Sequence, residues 1–109
     1  MAQFDVHRNI GQQRERIPFV VIVQSSLFDS YRRRVVVPLV RKSLLGETFS
    51  IAKNRMKPTF VVDGVEVVLH PLEIVSVGTD QLGEKIALLA EAGGLITDAL
   101  DELFTRSWS

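Results

Sequence analysis

Short runs of β-branched and apolar residues, separated by polar or glycine-containing segments, occupy the first three quarters of the chain. Residues 3–7 alternate polar and apolar positions, which predicts a short strand with Phe4 and Val6 on one face. Residues 8–16 are polar, contain one glycine and keep no period, so we expect a surface loop there.

The next two runs predict the centre of a sheet. Residues 19–24 are almost entirely apolar and too few for a typical helix, which indicates a strand buried on both faces. Residues 33–39 form a second β-branched run, and Pro38 within it predicts a sheet edge or a strand end because proline has no N–H to donate. The pattern weakens over residues 40–57, where we expect a loop.

The clearest local signal lies in residues 59–69, where Asp63-Gly64 separates two β-rich runs. An Asp-Gly pair suits a type I′ turn, whose positive φ angles match the twist of the flanking strands. A β-hairpin is therefore predicted here, followed by one more short strand at residues 74–77.

The hydrophobic period changes after Gly78. Apolar residues then fall three, four or about seven positions apart, which is typical of a helix. They are Leu82, Ile86, Leu89, Ile96, Leu100 and Leu103. Gly93 and Gly94 are expected to interrupt or kink this helix. Its clearest part is residues 95–104, with one apolar stripe made of Ile96, Ala99, Leu100, Leu103 and Phe104.

Length and composition indicate one domain spanning residues 1–109, with 46% hydrophobic and 24% charged residues. Strands followed by a terminal helix predict a small β-barrel or curved sheet with one helix, of class β or α+β. No apolar run approaches the ~20 residues that cross a bilayer, and no signal peptide is apparent. We therefore expect no membrane association and a cytoplasmic location. The absence of cysteine excludes disulfides and thiolate chemistry.

The net charge is zero, but the charges are unevenly distributed. Residues 1–57 hold eleven Lys and Arg against four Asp and Glu, whereas residues 58–109 hold two against nine. The basic half suits an acidic partner or nucleic acid. In the alternative interpretation, the two halves neutralise each other across the fold.

Few residues suggest chemistry. His7 and His70 are the two histidines, and a ribonuclease could use such a pair as general acid and base; the alternative is two unrelated histidines near strand ends. No metal-ligand spacing and no glycine-rich phosphate loop is present, so no metal or cofactor is expected. The three arginines at residues 32–34 would clasp a phosphate or an acidic peptide, or would begin a solvated hairpin. Trp108 is either a binding anchor or packs against its own chain.

A series of motifs extends over essentially the whole chain. Its most specific part is Pro18-Phe19-Val20-Val21-Ile22-Val23-Gln24-Ser25 with Leu27-Phe28-Asp29, followed by Arg34-Val35-Val36-Val37-Pro38-Leu39. Gln3-Phe4 precedes it, and Arg55-Met56-Lys57-Pro58, Asp63-Gly64, Leu82-Gly83 and Ala99-Leu100-Asp101 follow in order. In this series the chain resembles the CcdB family of bacterial toxins.

The resemblance implies an SH3-like β-barrel with a C-terminal helix, assembled as a two-fold homodimer. It implies a toxin that is not itself an enzyme, and that binds the A subunit of DNA gyrase and traps the cleaved, protein-linked DNA. It further implies an antitoxin whose disordered, acidic tail wraps the dimer and releases it from gyrase. No direct sequence-specific binding to nucleic acid is expected.

The resemblance also indicates contact residues. For gyrase they are Gln24, Ser25, Leu27, Asp101, Phe104 and Thr105, with Trp108 as a further anchor. For Phe104 and Leu103, a place in the dimer core or the helix stripe is an equal alternative. For the antitoxin they are Arg8, Arg14, Arg16, Arg41 and Lys42. The chain departs from the family pattern at Arg106 and Ser107, where the family has a glycine and a final isoleucine.

Two other functions stay open at this point. The same barrel architecture also carries RNA-cleaving toxins, so a ribonuclease toxin is the first alternative. The second is a degenerate, non-toxic homologue that only binds antitoxin.

Overall fold

The computed structural model describes residues 2–25, 32–44 and 58–106, with the backbone alone for residues 105 and 106. Within these ranges the chain forms seven strands: β1 (Asp5–Asn9), β2 (Phe19–Ile22), β3 (Arg33–Arg41), β4 (Thr59–Val62), β5 (Val65–Leu69), β6 (Val75–Gly78) and β7 (Leu82–Leu88). A C-terminal helix, α1 (Gly93–Asp101), continues into one π-helical turn, Glu102–Arg106. Short 3₁₀ turns lie at Lys42–Leu44, Pro71–Glu73, Thr79–Gln81 and Ala90–Ala92.

The strands form one antiparallel sheet in the order β4-β5-β3-β2-β1-β7. The long strand β3 pairs with β2 along one side, and with β5 and β6 in turn along the other. The sheet curls into a half-barrel with a single helix at its C-terminal end. This architecture confirms the predicted mostly β fold class.

The main core lies between the sheet and α1, on the side that we call the helix face. Its buried residues are Val6, Phe19, Val21, Val37, Leu39, Val62, Val67, Leu69, Ile96 and Ala99. Phe4 packs against this cluster, so the predicted pairing of Phe4 and Val6 on one face is confirmed. Fully burying such side chains contributes about 1.5–3 kcal/mol each.

The opposite side of the sheet, the open face, holds a second and smaller cluster of Ile22, Val36 and Leu82. Adjacent residues of a strand point to opposite faces, so Val21 contributes to one core and Ile22 to the other. The prediction of a central strand buried on both faces at residues 19–24 is therefore confirmed for β2.

The prediction that Pro38 marks an edge or a strand end is wrong, because β3 continues through it to Arg41. The carbonyl of Pro38 accepts a hydrogen bond from the N–H of His70 (3.1 Å), so its nitrogen also points towards that side of the strand. There, pairing with β6 ends at Val36 and pairing with β5 begins at Leu39. Proline is tolerated because it lies where one partner strand replaces the other and no ladder donor is required.

The predicted hairpin is confirmed. β4 and β5 pair from Thr59↔Val68 to Val62↔Val65. Asp63 (φ 50°) and Gly64 (φ 77°) both have the positive φ that a type I′ turn requires.

The prediction of helix from Leu82 onwards is wrong over its first part, because residues 82–88 form β7 beside β1. The register between β1 and β7 shifts twice, once on each side of His7. Each irregularity changes which face the following side chains meet. Leu82 thus reaches the open face, while Ile86 packs on the helix face. The apolar residues of β7 therefore do not alternate with polar ones as in a regular strand, and their four-residue spacing in the sequence resembles that of a helix.

Helix α1 is confirmed, although Gly93 and Gly94 begin it rather than interrupt it. A Cβ on Gly93 would lie 2.8 Å from Cε2 of Phe4, so the missing side chain lets the start of the helix approach the Phe4 ring. Ile96 and Ala99 are buried as the stripe predicts.

Candidate partner-binding surfaces

The first predicted gyrase-contact residues follow directly after β2. The side-chain oxygen of Gln24 accepts a hydrogen bond from the backbone N–H of Val35 (3.3 Å), which fixes Gln24 against the start of β3. The neighbouring carbonyl of Val23 accepts a bond from Nε2 of Gln3 (3.1 Å). Gln24 and Ser25 are half-buried, and Leu27 lies outside the described residues.

The second group lies at the end of α1. Phe104 is 60% exposed, so its predicted place in the buried stripe is wrong, while Asp101 and Leu103 are half-buried. The helix changes from α to π winding at Glu102, and such wider turns often occur at functional sites. The structure describes the backbone of Thr105 but not its side chain, and Trp108 lies outside the described residues.

A short chain of contacts connects the start of α1 with the end of β2. Gly93 packs on the ring of Phe4, and the backbone N–H of Phe4 donates to the carbonyl of Ile22 (2.6 Å). The helix therefore begins beside the strand end that carries Gln24.

Arg8, the first residue predicted to contact the antitoxin, is engaged within the fold. Its Nε donates to Glu84 (2.8 Å), its Nη2 donates to Asp63 (3.1 Å), and its guanidinium lies 5.9 Å from the centre of the Phe19 ring. The hydrogen bonds to Glu84 and Asp63 raise the pKa of Arg8 above its ordinary value. Arg8 thus joins the hairpin turn to β7.

Arg16 is engaged in a similar way. Its Nη2 lies 2.8 Å from Oε2 of Glu73, and this bond raises the pKa of Arg16 and lowers that of Glu73. Arg41 is also tied to the β1–β2 loop, because its backbone N–H donates to the carbonyl of Arg16 (2.8 Å) and its Nε donates to the carbonyl of Glu15 (2.9 Å).

Lys42 lies 3.6 Å from Glu66, and Lys85 lies 3.2 Å from the buried Asp5. In the ion pairs of Arg8, Arg16 and Lys42, a cation of residues 1–57 meets a carboxylate of residues 58–109. For these residues, the interpretation that the two halves of the chain neutralise each other's charge applies. Arg14 differs: it is exposed, and no side-chain partner for it occurs within the described ranges.

The three consecutive arginines do not form one cluster. Arg34 is fully buried, whereas Arg32 and Arg33 are exposed. Arg33 donates to the hydroxyl of Ser76 (3.1 Å) and to its carbonyl (2.6 Å), which ties it to β6. A phosphate clasp built from all three guanidinium groups is therefore not present.

The two histidines occupy separate structural settings. His7 is only 5% exposed, and its Nδ1 lies 2.9 Å from the carbonyl of Gly83, an arrangement in which Nδ1–H donates. His70 is half-buried, with Nδ1 3.6 Å from Oε2 of Glu73. Burial of the His7 ring keeps it from an RNA backbone, so this geometry gives no support to a ribonuclease built on the pair.

Among the described residues, no helix is long and apolar enough to span a membrane. The same part of the chain contains no group of three or more histidine, aspartate or glutamate side chains placed to hold a metal ion.

The structure also forms a groove that the sequence patterns do not indicate. This open-face groove has a volume of about 240 Å³ and is lined by apolar side chains. Val20, Val36 and Pro38 belong to β2 and β3, and Val75 and Val77 belong to β6.

Polar residues of other segments complete the groove. Asn9, Gln12 and Gln81 line it together with Ile17 and Leu82. Because these residues come from separate parts of the chain, only the fold brings them together, and no local motif could have predicted the groove.

The structure is that of a small, mostly β domain: a curled antiparallel sheet with one C-terminal helix, whose last turn exposes the aromatic side chain of Phe104. The family model described as CcdB protein matches residues 3–105, and the chain belongs to the CcdB family. Membership of this family supports a toxin that belongs to a toxin–antitoxin module. A search of curated proteins gave no match.

Proposed function

We propose that the chain is a toxin that binds the A subunit of DNA gyrase and traps the cleaved, protein-linked DNA intermediate. It acts as a binding protein in the bacterial cytoplasm rather than as an enzyme. A ligand that binds one conformer of the gyrase gate more tightly than the others shifts the population towards that conformer. Trapping therefore requires a contact surface but no catalytic group.

The observation that carries the proposal is the exposed Phe104 at the end of the helix of a CcdB-family chain. A large aromatic side chain held in water at the end of a rigid element is a typical binding anchor. Gln24, Ser25, Leu27, Asp101, Thr105 and Trp108 complete the proposed contact set.

The proposed active form is a homodimer. A two-fold toxin would present two equivalent helix ends to a gate that is itself two-fold, so each contact would be made twice. The proposed antitoxin tail is acidic and disordered, and it binds the cationic residues Arg8, Arg14, Arg16, Arg41 and Lys42. Since most of these cations already have partners in the fold, Arg14 is the one best placed to pair with it.

A gyrase cleavage assay on supercoiled plasmid DNA tests the proposal. The full chain should produce linear DNA after protein denaturation, whereas a chain truncated after Phe104 should produce less. Equal amounts of linear DNA with and without the full chain would overturn the proposal. Sedimentation of the same samples at micromolar concentration tests the dimer separately.

Two controls address the other functions. RNA incubated with the wild-type chain should stay intact; cleavage that is lost in His7→Ala and His70→Ala variants would favour the ribonuclease. Antitoxin binding without trapped DNA and without slower growth of expressing cells would identify a non-toxic homologue.

A further inference from the structure

The turn between β4 and β5 is the one place in the sequence where an aspartate directly precedes a glycine. In such a pair the backbone nitrogen of the glycine can attack the side-chain carboxyl carbon of the aspartate. Glycine favours this attack because it has no side chain to shield its nitrogen. Asp63 and Gly64, which the hairpin needs for their positive φ angles, are therefore also a pair that can react with itself.

Both reacting groups are accessible. The side chain of Asp63 is 55% exposed, and a Cβ on Gly64 would meet no atom within 4 Å. In a two-residue hairpin the ladder hydrogen bonds join the flanking residues, here Val62 and Val65. The N–H of Gly64 has no acceptor within the described part of the chain. Neither burial nor hydrogen bonding protects this nitrogen.

The geometry of the closed turn opposes the reaction. Asp63, with φ 50°, is the first central residue of a type I′ turn, where ψ is about +30°. At that angle the nitrogen of Gly64 points away from the side chain of Asp63. Rotation about the Cα–C bond of Asp63 brings the two groups together, but it takes the residue out of the turn. The reaction therefore requires the turn to open locally.

Arg8 restrains this opening. Its Nη2 donates to Oδ2 of Asp63 (3.1 Å), while its Nε donates to Glu84 (2.8 Å) and its guanidinium lies 5.9 Å from the centre of the Phe19 ring. Because Glu84 and Phe19 already hold the guanidinium, little further side-chain freedom is lost when Asp63 binds it. The carboxylate must release Arg8 before it can meet the backbone nitrogen.

We propose that Asp63-Gly64 is a site of spontaneous isomerisation to isoaspartate, and that Arg8 slows the reaction by holding the turn closed. The Gly64 nitrogen bonds to Cγ of the protonated carboxyl group, and its proton leaves with the carboxyl hydroxyl as water, which gives a five-membered succinimide ring. Water then cleaves one of the two carbon–nitrogen bonds of the ring. Cleavage at Cγ restores aspartate, and cleavage at the backbone carbonyl leaves isoaspartate. No oxidant or other co-reactant is needed.

Isomerisation would disrupt the hairpin. The chain would run through Cβ and Cγ of residue 63, which adds one atom to the backbone of the turn. A two-residue turn of this kind no longer places Val62 opposite Val65. Since Val62 is only 2% exposed and belongs to the main core, the isomerised chain should unfold at a lower temperature.

The test incubates the full chain at neutral pH and body temperature for days to weeks. Isoaspartate is measured by methyl transfer from S-adenosylmethionine with an isoaspartyl methyltransferase, and peptide mapping by mass spectrometry locates it. Folded wild-type chain should form isoaspartate at residue 63, but more slowly than the same chain in urea. Asp63→Glu should lose the signal at this position, because glutamate would have to close a less favourable six-membered ring.

Matched variants test the part played by Arg8. Arg8→Gln should form isoaspartate about two- to fivefold faster than wild type, the size expected for loss of a partly exposed ion pair. Arg16→Gln, the same change at the ion pair with Glu73, should leave the rate unchanged. High salt should accelerate the reaction of wild type but not of Arg8→Gln, because it screens the pair. Circular dichroism checks folding, and the salt response of wild type tests the role of Arg8 independently of any variant.

Absence of isoaspartate at residue 63 of the folded chain would overturn the site. Equal rates for the folded chain and the chain in urea would overturn the protection by the turn. Equal acceleration in Arg8→Gln and Arg16→Gln, or no response of wild type to salt, would overturn the role of Arg8. The assay contains neither gyrase nor antitoxin, so its outcome is independent of the function proposed above.

Discussion

Arg16 and Glu73 form a two-pronged ion pair, with Nη2–Oε2 at 2.8 Å and Nη1–Oε1 at 3.4 Å. The pair fastens the β1–β2 loop, which carries Arg14 and lines the open-face groove, to the 3₁₀ turn that precedes β6. His70 adds a weaker contact, with Nδ1 3.6 Å from Glu73. Two segments that are distant in sequence are thereby held together beside the groove.

Glu73→Gln should lower the free energy of unfolding at pH 7 by about 0.5 kcal/mol, a size typical of a partly exposed pair. The hydrogen bond from Arg16 lowers the pKa of Glu73 in the folded state, so the ionised carboxylate stabilises the fold at pH values above the ordinary 4.5. This contribution is lost as the pH falls through the lowered pKa. Urea unfolding of wild type and variant between pH 7 and pH 2 should therefore show the difference disappearing in acid.

Glu66→Gln is the control for this measurement. Glu66 is more exposed and lies 3.6 Å from Lys42, so its removal should change stability little at any pH. If Glu73→Gln still lowered the free energy of unfolding at pH values below the pKa of Glu73 in the folded state, the lost stability could not come from the ion pair with Arg16.

Phe104→Ala should reduce trapping of gyrase-cleaved DNA, with at least about tenfold more toxin needed for the same amount of linear DNA. Its side chain is 60% exposed, so the variant should unfold at nearly the wild-type temperature. Leu95→Ala is the matched control, because Leu95 belongs to the same helix and is 56% exposed. Equal loss of trapping in both variants would place the anchor elsewhere.

Gly83→Ala should destabilise the chain by about 1–3 kcal/mol. A Cβ there would lie 2.8 Å from Cγ2 of Ile10 and 3.0 Å from the backbone oxygen of Arg8, so β1 and β7 would have to separate. Gly94→Ala meets no atom within 4 Å and lies in a helix, so it should raise stability by about 0.5–1 kcal/mol. Thermal unfolding should therefore show a lower melting temperature for Gly83→Ala and a higher one for Gly94→Ala than for the wild-type chain.

The double substitution Arg106→Gly and Ser107→Ile should increase trapping of cleaved DNA. It restores the glycine and isoleucine that the resemblance to the family places at these positions, and it removes a bulky cation from a region where close backbone approach is expected. The cleavage assay on supercoiled DNA measures the change, with Arg32→Gly as a control that removes an exposed cation elsewhere. Unchanged or weaker trapping of cleaved DNA would show that a glycine and an isoleucine at positions 106 and 107 do not improve the contact of this chain with gyrase.

Local patterns were sufficient wherever one short segment determined its own structure. Asp63-Gly64 predicted the hairpin because a type I′ turn requires positive φ at two consecutive residues. The apolar run at residues 19–24 predicted a strand with both faces covered, which β2 is. The motif order over residues 3–105 also identified the family.

Segments whose conformation depends on a distant partner were predicted wrongly. Residues 82–88 have a helix-like spacing, but two register shifts against β1 produce it, and only the pairing partner shows this. Pro38 suits the middle of β3 because two different strands share that side of it. Phe104 follows the apolar stripe of α1, yet the last turn leaves it exposed.

The sequence by itself determined the Asp63-Gly64 turn, the buried strand β2 and the family, because these follow from residue types at neighbouring positions. Tertiary structure decided which cations are already paired and where apolar side chains are left without cover. Arg8 and Arg16 look as available as Arg14 in the sequence, but only the fold brings Glu84 and Glu73 within 2.8 Å of the first two. Such pairings depend on distances between residues far apart along the chain, and those distances exist only once the sheet has formed.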